Sequence, residues 1–328
     1  MNMKHKIIAI FLITGITLSA CQKNSDIFVP DPGQPNGMDT SWYSSITPTM
    51  PVSLLKNALS YGYYGDSIQV GNTPTYLTTP FGLLCYFPAN CCVNGIGQSV
   101  TGTVQVEILL IKKKGDMIRL DRPTISGGRL LISGGEIFIR LKKAGQELSL
   151  APNVKLNLRY PDLPLLPNMK LFSGDESNPV QYNWLPITDL QNNSVAITTQ
   201  NYEIQTNRTR WINNAYMVDT VGIAQVKVSA SLASNLTNAN TVAFAVFKDH
   251  RAVVPMVPDL ATRKFTSIKL PVGKEITVVV ISRQGNDYFL GTKTIVTATQ
   301  AANSTNQSAP VTPVIKSLSS VIDFLNTL

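Results

Sequence analysis

Short apolar segments with a period of two residues recur along most of this chain and limit the folds open to it. Val104–Ile111, Glu136–Leu141, Thr241–Phe247 and Glu275–Ile281 are rich in β-branched side chains, and turn residues such as glycine separate them. Alternation of this kind puts one face of a strand against a core, and such short, turn-bounded strands are typical of antiparallel sandwiches. The pattern predicts an all-β fold.

Prolines divide this strand-forming region. Pro161, Pro164 and Pro167 lie close together after the last of the first group of strands. Because proline interrupts strand pairing, we predict a domain boundary here. The fold class is predicted as two antiparallel β-sandwich domains, over residues 67–162 and 163–298. The length of 328 residues is sufficient for two such cores.

The segments that flank the predicted sandwiches have different compositions. Residues 21–66 contain a Pro-rich stretch typical of an extended tether. Residues 299–313 have the Ala, Asn, Ser, Thr and Pro content of a linker. In residues 314–328, apolar side chains recur at spacings of three and four residues, which predicts a short amphipathic helix. So short a helix is marginal alone, so it would dock on its own protein, dock on a partner, or fray.

The N-terminus reads as an export signal. Lys4 and Lys6 precede an apolar run, Ile7–Leu18, that is shorter than a bilayer-spanning helix needs. Leu18-Ser19-Ala20-Cys21 resembles the lipobox of bacterial lipoproteins. The resemblance implies a signal peptide over residues 1–20, cleavage before Cys21, and acylation, including palmitate, of that residue. The alternative is a core or transmembrane helix.

The residues after Cys21 bear on location. Gln22-Lys23 and the polar residues up to Asp26 resemble the export signal of Gram-negative surface lipoproteins, although Asp26 is the single acidic residue where those signals have several. The resemblance implies an outer-membrane protein, on its periplasmic or surface face, and favours the surface.

The charge pattern argues against a nucleic-acid partner. The formal net charge is +8, and removal of Lys4 and Lys6 leaves 26 Lys and Arg against 20 Asp and Glu, or +6. The densest basic run, Lys112-Lys113-Lys114, adjoins Gly115-Asp116 and is interpreted as a solvated turn. A nucleic-acid surface would cluster basic residues among stacking aromatic rings, and this chain does not.

Histidine is too scarce for the commonest catalytic and metal sites. Once the signal is removed, His250 is the one histidine left, in a segment interpreted as a loop between two strands. Zinc sites and general bases depend heavily on histidine. We therefore expect no catalytic residues, no metal and no cofactor other than the covalent lipid on Cys21. A carboxylate-only site stays open.

Two further groups of residues are candidates for bonds or ligands. Cys85 could form a disulfide with Cys91 or Cys92 in an oxidising compartment, or all three could be small buried side chains. Tyr61, Tyr63 and Tyr64 could form an aromatic platform for a sugar or peptide, or pack in the core. The residues alone do not choose between these alternatives.

Two motifs resemble a family of uncharacterised bacterial lipoproteins. Thr79–Asn90 with Val100–Glu107 is similar to the opening of the β-sandwich domain shared by zona-occludens protein, netrin receptors and ankyrin. Trp211-Ile212-Asn213 is similar to an element of the Ig-like β domain that follows it in those lipoproteins. The resemblance implies the two-domain architecture and brings no known catalytic residues.

These observations lead to a functional expectation. We expect a non-catalytic, lipid-anchored outer-membrane protein that acts as a structural or protein-binding module at the cell envelope, with the membrane and an unidentified protein as its partners. Unpaired sheet edges or the C-terminal helix would provide the contacts. The alternative is a glycan-binding lipoprotein of a nutrient-uptake system, which would use the region of Tyr61–Tyr64.

Overall fold

Four β-sheets and three short helices make up the part of the chain that the structure describes. The structure is a computed structural model, and it describes residues 40–177, 181–300 and 306–328. The predicted all-β fold class is confirmed: the sheets are antiparallel apart from one parallel strand pair. Sheets 1 to 4 are numbered here in the order in which they stack.

Sheet 2 is the largest sheet, and both of its faces are buried. Its main strands, in spatial order, are β1 (Tyr64–Val70), β5 (Gly102–Ile111), β7 (Arg129–Lys143), β14 (Arg210–Met217), β10 (Lys170–Asp175) and β11 (Asn183–Pro186), with β4 (Cys92–Val93), β6 (Ile125–Ser126) and β8 (Gln146–Leu150) paired beside them. Along β7, Ile137 and Ile139 face sheet 1 while Phe138 faces the opposite side. Strict alternation of this run thus supplies two cores from one strand.

Sheet 1 covers one face of sheet 2 and completes the first sandwich. Its strands, in spatial order, are β12 (Ser194–Ile197), β13 (Asn201–Thr206), β9 (Leu156–Pro161), β3 (Leu84–Phe87) and β2 (Thr75–Thr78). Leu158 and Phe87 from sheet 1 meet Val106 and Ile139 from sheet 2 in a fully buried core. Burial of each such side chain contributes about 1.5–3 kcal/mol.

Sheet 3 packs against the other face of sheet 2, with the helices between their margins. Its strands, in spatial order, are β17 (Val253–Pro255), β16 (Thr241–Phe247), β21 (Glu275–Gln284), β22 (Asp287–Val296) and β24 (Val314–Lys316), and the helices are α1 (Pro51–Leu59), α2 (Lys114–Arg119) and α3 (Leu318–Asn326). Phe138 and Trp211 of sheet 2 share this core with Val279 of sheet 3 and Leu55 of α1.

Sheet 4 closes a second sandwich on the far face of sheet 3. It contains β18 (Val257–Asp259), β19 (Lys264–Thr266), β15 (Gln225–Ser231) and β20 (Leu270–Pro271), with β23 (Asn306–Pro310) parallel to β15. Val228 of β15 meets Val278 and Val280 of β21 in its core. The structure therefore contains two sandwiches, sheets 1 and 2 and sheets 3 and 4.

Strand pairing does not divide at residues 162 and 163, where the sequence predicts a domain boundary. β13 pairs with β9, and β14 pairs with β7, so strands from both sides of that point share sheets 1 and 2. The two sandwiches separate between β14 and β15 instead. The prolines at 161–167 lie in a crossover from sheet 1 to sheet 2. Proline ends a strand both in a crossover between sheets and at a domain boundary. The positions of these prolines therefore could not distinguish a crossover from a domain boundary.

Part of the segment predicted as a tether, residues 21–66, belongs to the fold. The Trp42 ring lies 5.2 Å from the ring of Phe265, between centroids. The main chain of Tyr43 exchanges two hydrogen bonds with the Asn238 side chain, at 3.0 and 2.6 Å. Leu55 of α1 is fully buried. Only the stretch 21–39 of that prediction lies outside the described residues, together with the predicted signal, 1–20.

The C-terminal prediction is confirmed as a short helix with different limits. Helix α3 begins after Ser317, whose hydroxyl accepts a hydrogen bond from the Ser320 amide, whereas Val314–Lys316 forms β24. Asn306–Pro310, in the predicted linker 299–313, forms β23. Both short strands are held by pairing with distant strands, which composition does not reveal.

Helix α3 docks on its own protein. Val321 and Leu325 are fully buried beside Met117 of α2 and Leu59 of α1. Gly115 allows this approach, because a Cβ at that position would overlap the Leu325 carbonyl. Of the three alternatives left open by the sequence, the structure selects docking within the chain.

Candidate functional site

The predicted lipidation site is not among the described residues, whereas the predicted tyrosine platform is. Tyr61 packs against the core between sheets 2 and 3, with the Arg119 guanidinium 4.5 Å from its ring centroid. Burial, followed by the charge of Asp116, raises the pKa of its hydroxyl. The ring of Tyr61 is therefore engaged within the protein.

The other two tyrosines of that platform face opposite sides of sheet 2. Tyr63 is 40% exposed and stacks on Phe138, with 4.4 Å between ring centroids, on the side of sheet 3. Tyr64 packs on the side of sheet 1, edge-on to Phe81 at 5.9 Å. The structure does not bring the three rings onto one surface, because neighbouring strand residues alternate between faces.

The three cysteines among the described residues, Cys85, Cys91 and Cys92, are buried free thiols. Cys85 lies in the core between sheets 1 and 2, and burial raises its pKa to about 12. The Sγ atoms of Cys91 and Cys92 are 3.4 Å apart. The hydrogen bond to Cys91, and then burial, raise the pKa of Cys92. This arrangement agrees with the packing alternative.

A polar cleft lies where the end of β9 approaches the turn between β16 and β17. Its volume is about 230 Å³. Charged side chains dominate its lining: Lys112, Lys114, Asp162, Lys248, Asp249 and Arg251, with His250 and Leu328 beside them. We take this cleft as the candidate functional site, because charged groups converge in it from three separated parts of the chain.

An ion pair forms the floor of the cleft. Arg251 donates from its two terminal nitrogens to the two oxygens of Asp162, at 2.9 and 3.2 Å. It also donates to the carbonyl of Gly134, at 2.7 Å. Asp162 is buried and Arg251 half-buried. A bidentate, partly buried ion pair of this kind fixes both side chains in position.

Two lysines extend over the floor. Lys112 donates to the carbonyl of Pro161 at 2.8 Å, and its Nζ is 3.6 Å from Asp162. Lys114 donates to the carbonyls of Phe247 and Lys248, at 2.7 and 3.2 Å. The sequence interpretation of this basic run as a solvated turn is wrong for Lys114, which is half-buried at the start of α2. Burial lowers its pKa.

His250 occupies the loop that the sequence predicts. The loop joins β16 to β17, and the half-buried imidazole lines the cleft. Burial, followed by the charge of Lys274, lowers the pKa of His250 below its usual value. This direction favours the neutral ring, which can accept or donate a hydrogen bond.

Behind the cleft lies a buried acid that sequence reasoning missed. Glu136 is fully buried in β7, and neither of its carboxylate oxygens has a hydrogen-bond partner among the described residues. Burial raises its pKa well above the usual range, against the opposing charges of Arg122 and Arg251. The sequence did offer one indication of this acid. Glu136 adjoins the apolar residues of a strand that was predicted to face a core, where an acidic residue is unusual.

The outward face of sheet 1 has a second group of polar and aromatic side chains. Tyr76 is 64% exposed, and its ring lies 5.0 Å from that of Tyr86, between centroids. Asn157 of β9 is the register partner of Tyr86, and Gln205 of β13 is the next residue across the sheet. The Gln205 side-chain amide donates a hydrogen bond of 3.3 Å to that of Asn157. These tyrosines, rather than Tyr61–Tyr64, form a ring pair next to hydrogen-bonding side chains.

The described residues contain neither a helix that could cross a membrane nor a cluster of metal ligands. None of their helices combines the length and apolar character needed to cross a membrane. No three His, Cys, Asp or Glu side chains within the described ranges are grouped to hold a metal ion.

Comparisons with known proteins give no family for this chain. No protein-family model matches it, and no curated protein sequence matches it. The described strands support a β-sandwich protein with several sheets. The finer domain identities suggested by the sequence motifs stay predictions.

Proposed function

We propose that this chain is a non-catalytic, lipid-anchored protein of the outer membrane that binds a protein partner at the cell envelope. The observation that carries the binding role is one open edge of sheet 1, that of β12. Edge strand β12 pairs with β13 on one side and with no described strand on the other. Three of its four residues are exposed, and Ile197 is 45% exposed.

An edge of this kind suits strand addition. It offers unpaired main-chain donors and acceptors to an extended segment of another protein, while side chains on alternate positions give selectivity. The other contact expected from the sequence was helix α3, which is docked on α1 and α2 and is occupied there. Of the two outer strands of sheet 1, β12 and β2, we assign the partner contact to β12, because three of its four residues are exposed against two of four in β2.

The anchor is the second part of the proposal. The lipobox-like Leu18–Cys21 precedes a compact unit that begins at Thr40. Acyl chains on Cys21 would attach this unit to the outer membrane, where burial contributes roughly 0.8 kcal/mol per methylene and more than one chain gives lasting attachment. We propose the covalent lipid as the sole cofactor, and domains of the zona-occludens/netrin-receptor and Ig-like kinds, on the motifs described above.

Metabolic labelling tests the anchor. Cells that express the full chain are grown with an alkyne-bearing palmitate, and the protein is examined for label and for membrane fractionation. We expect label and membrane association in the wild type, loss of both in Cys21→Ser, and retention of both in Cys85→Ser. Label that persists in Cys21→Ser would contradict the proposal. Protease shaving of intact cells then distinguishes the surface face from the periplasmic face.

Photo-crosslinking tests the edge. A photoreactive residue replaces Ala196, which is exposed on β12, and in a control replaces Asp323, which is exposed on α3. We expect one discrete adduct from position 196 in cells and none from position 323. Adducts of equal yield from both positions, or none from 196, would contradict strand addition.

A second candidate function, glycan binding, rests on Tyr76 and Tyr86. Exposed rings beside amide side chains suit the stacking and hydrogen bonding of a sugar. A glycan array probed with wild type, Tyr76→Ala and Tyr63→Ala tests it. Binding that Tyr76→Ala removes and Tyr63→Ala preserves would favour a nutrient-uptake role. Absence of binding by the wild type would remove this candidate.

A further inference from the structure

We propose that the cleft between the end of β9 and the β16–β17 turn binds a phosphate monoester group, which goes beyond the proposed anchor and partner. Some of the charged side chains in the cleft are already paired with each other or with neighbours. Arg251 is neutralised by Asp162, and Lys248 pairs at the rim with Glu275 at 2.9 Å. Asp162 is shared, since the Nζ of Lys112 also lies 3.6 Å from it, and Asp249 lines the cleft as a second carboxylate. The cations that a ligand can engage are Lys114 and, in part, Lys112.

Lys114 is the better fixed of these two cations. Its ammonium donates to two backbone carbonyls and has three N–H groups, so one N–H remains for a ligand. No carboxylate lies within ion-pair distance of it among the described residues. A half-buried ammonium held by neutral partners favours the arrival of an anion, which would offset the cost of its desolvation.

The charge of the ligand follows from the lining as a whole. Its four cations, Lys112, Lys114, Lys248 and Arg251, outnumber its two carboxylates, Asp162 and Asp249. A phosphate monoester carries roughly −1.5 to −2 charges near pH 7, which is opposite in sign to this excess. Lysine binds phosphate as a point charge, without the planar fork that arginine uses. Arg251, whose fork is occupied by Asp162, acts as a positioning residue that holds the floor. His250 adds a ring nitrogen that can donate to a phosphate oxygen.

The size of the cleft limits the ligand. A volume of about 230 Å³ is below the roughly 300–1,000 Å³ of sites for drug-sized ligands. The cleft therefore suits a phosphate group with a small attached moiety. A soluble sugar phosphate and a phosphorylated lipid headgroup share this chemistry.

Calorimetric titration tests the site. The full chain carrying Cys21→Ser, to remove any acyl anchor, is titrated with inorganic phosphate, with a hexose phosphate, and with vesicles of neutral phospholipid containing or lacking phosphatidic acid. We expect saturable binding that weakens as salt rises. Response to the soluble phosphates identifies a soluble source, and response to phosphatidic acid alone identifies a lipid headgroup. No saturable response to any of these would overturn the proposal.

A matched pair of lysine variants localises the binding. Lys155 also donates to a backbone carbonyl, that of Gln191 at 2.7 Å, but lies just before β9 and outside the cleft. We expect Lys114→Gln to weaken binding roughly tenfold or more, as loss of a charged hydrogen bond implies, and Lys155→Gln to bind as the parent does. Equal affinity for all three proteins would overturn the assignment to this cleft.

A further measurement uses the chain with its cleft residues unaltered, so that it stays informative even if Lys114→Gln does not fold. The charges of Lys114, Asp249 and Lys274 act on the His250 ring, and a bound phosphate would add negative charge in the same cleft. NMR titration of the histidine ring protons with and without ligand should show an upward shift of the His250 pKa. An unchanged His250 titration at a saturating ligand concentration would overturn the proposal.

Discussion

At the scale of single residues, Glu136 is the least expected feature of the chain. Its carboxylate lies in the interior of sheet 2 without a hydrogen-bond partner among the described residues. An unpaired buried charge opposes folding, so burial raises its pKa despite the nearby charges of Arg122 and Arg251. A raised pKa in the folded state means that the native protein binds the proton more tightly than the unfolded chain does.

This difference predicts a pH-dependent effect of Glu136→Gln. The stability associated with protonated Glu136 is complete below the unfolded pKa, about 4.3, and is lost as pH rises through the higher folded pKa. The variant should therefore match the wild type near about pH 4 and exceed it by about 1–3 kcal/mol at about pH 8.

Urea unfolding at the two pH values measures this effect. Glu203→Gln, on the exposed face of sheet 1, serves as the control and should show no pH-dependent gain. A Glu136→Gln effect of the same size at both pH values would show that the carboxylate charge is not its cause.

The thiols give a second prediction for single residues. Because Cys85, Cys91 and Cys92 are free and buried, a thiol reagent should not label the folded Cys21→Ser chain, and should label all three after unfolding without reductant. Ellman's reagent provides the count. Labelling of a single thiol in the unfolded chain would indicate a disulfide between two of them.

At the scale of elements, the contact between α2 and α3 depends on one residue without a side chain. Replacement of helical glycine by alanine normally stabilises. For Gly115→Ala we expect the opposite, a loss of about 1–3 kcal/mol, because the new Cβ would overlap the Leu325 backbone and separate the helices.

Thermal and urea unfolding measure that loss. Gly62→Ala is the control, since a Cβ at Gly62 meets no atom within 4 Å, and it should stay within about 0.5 kcal/mol of the wild type. A neutral or stabilising Gly115→Ala would show that α3 is not held against α2 in solution.

At the scale of the whole molecule, the first sandwich extends well beyond the predicted boundary at 162 and 163. A fragment of residues 40–162 would contain β9 without β13 and β7 without β14. We expect this fragment to lack a cooperative thermal transition, whereas residues 40–328 should have one. Circular dichroism melting measures both, and a sharp transition in the fragment would support the boundary predicted from the sequence.

The charged cleft shows why tertiary structure was needed for the candidate site. Lys112, Asp162 and Arg251 are far apart in the sequence, and each was part of a segment interpreted as a turn, a boundary or a loop. The stacking of sheets 1, 2 and 3 brings these segments together. No local pattern contains that information, because the sheet against which a strand packs is formed by residues outside any short window of the chain.

Local sequence was sufficient for other features of this protein. The alternation in Val104–Ile111 and Thr241–Phe247 determined strands and their buried faces, because side-chain direction in a strand depends only on neighbouring residues. The spacing of Val321 and Leu325 likewise determined a helix. The tertiary structure alone decided which strands share a sheet, where the sandwiches separate and which charges meet, because these depend on contacts between residues distant in the chain.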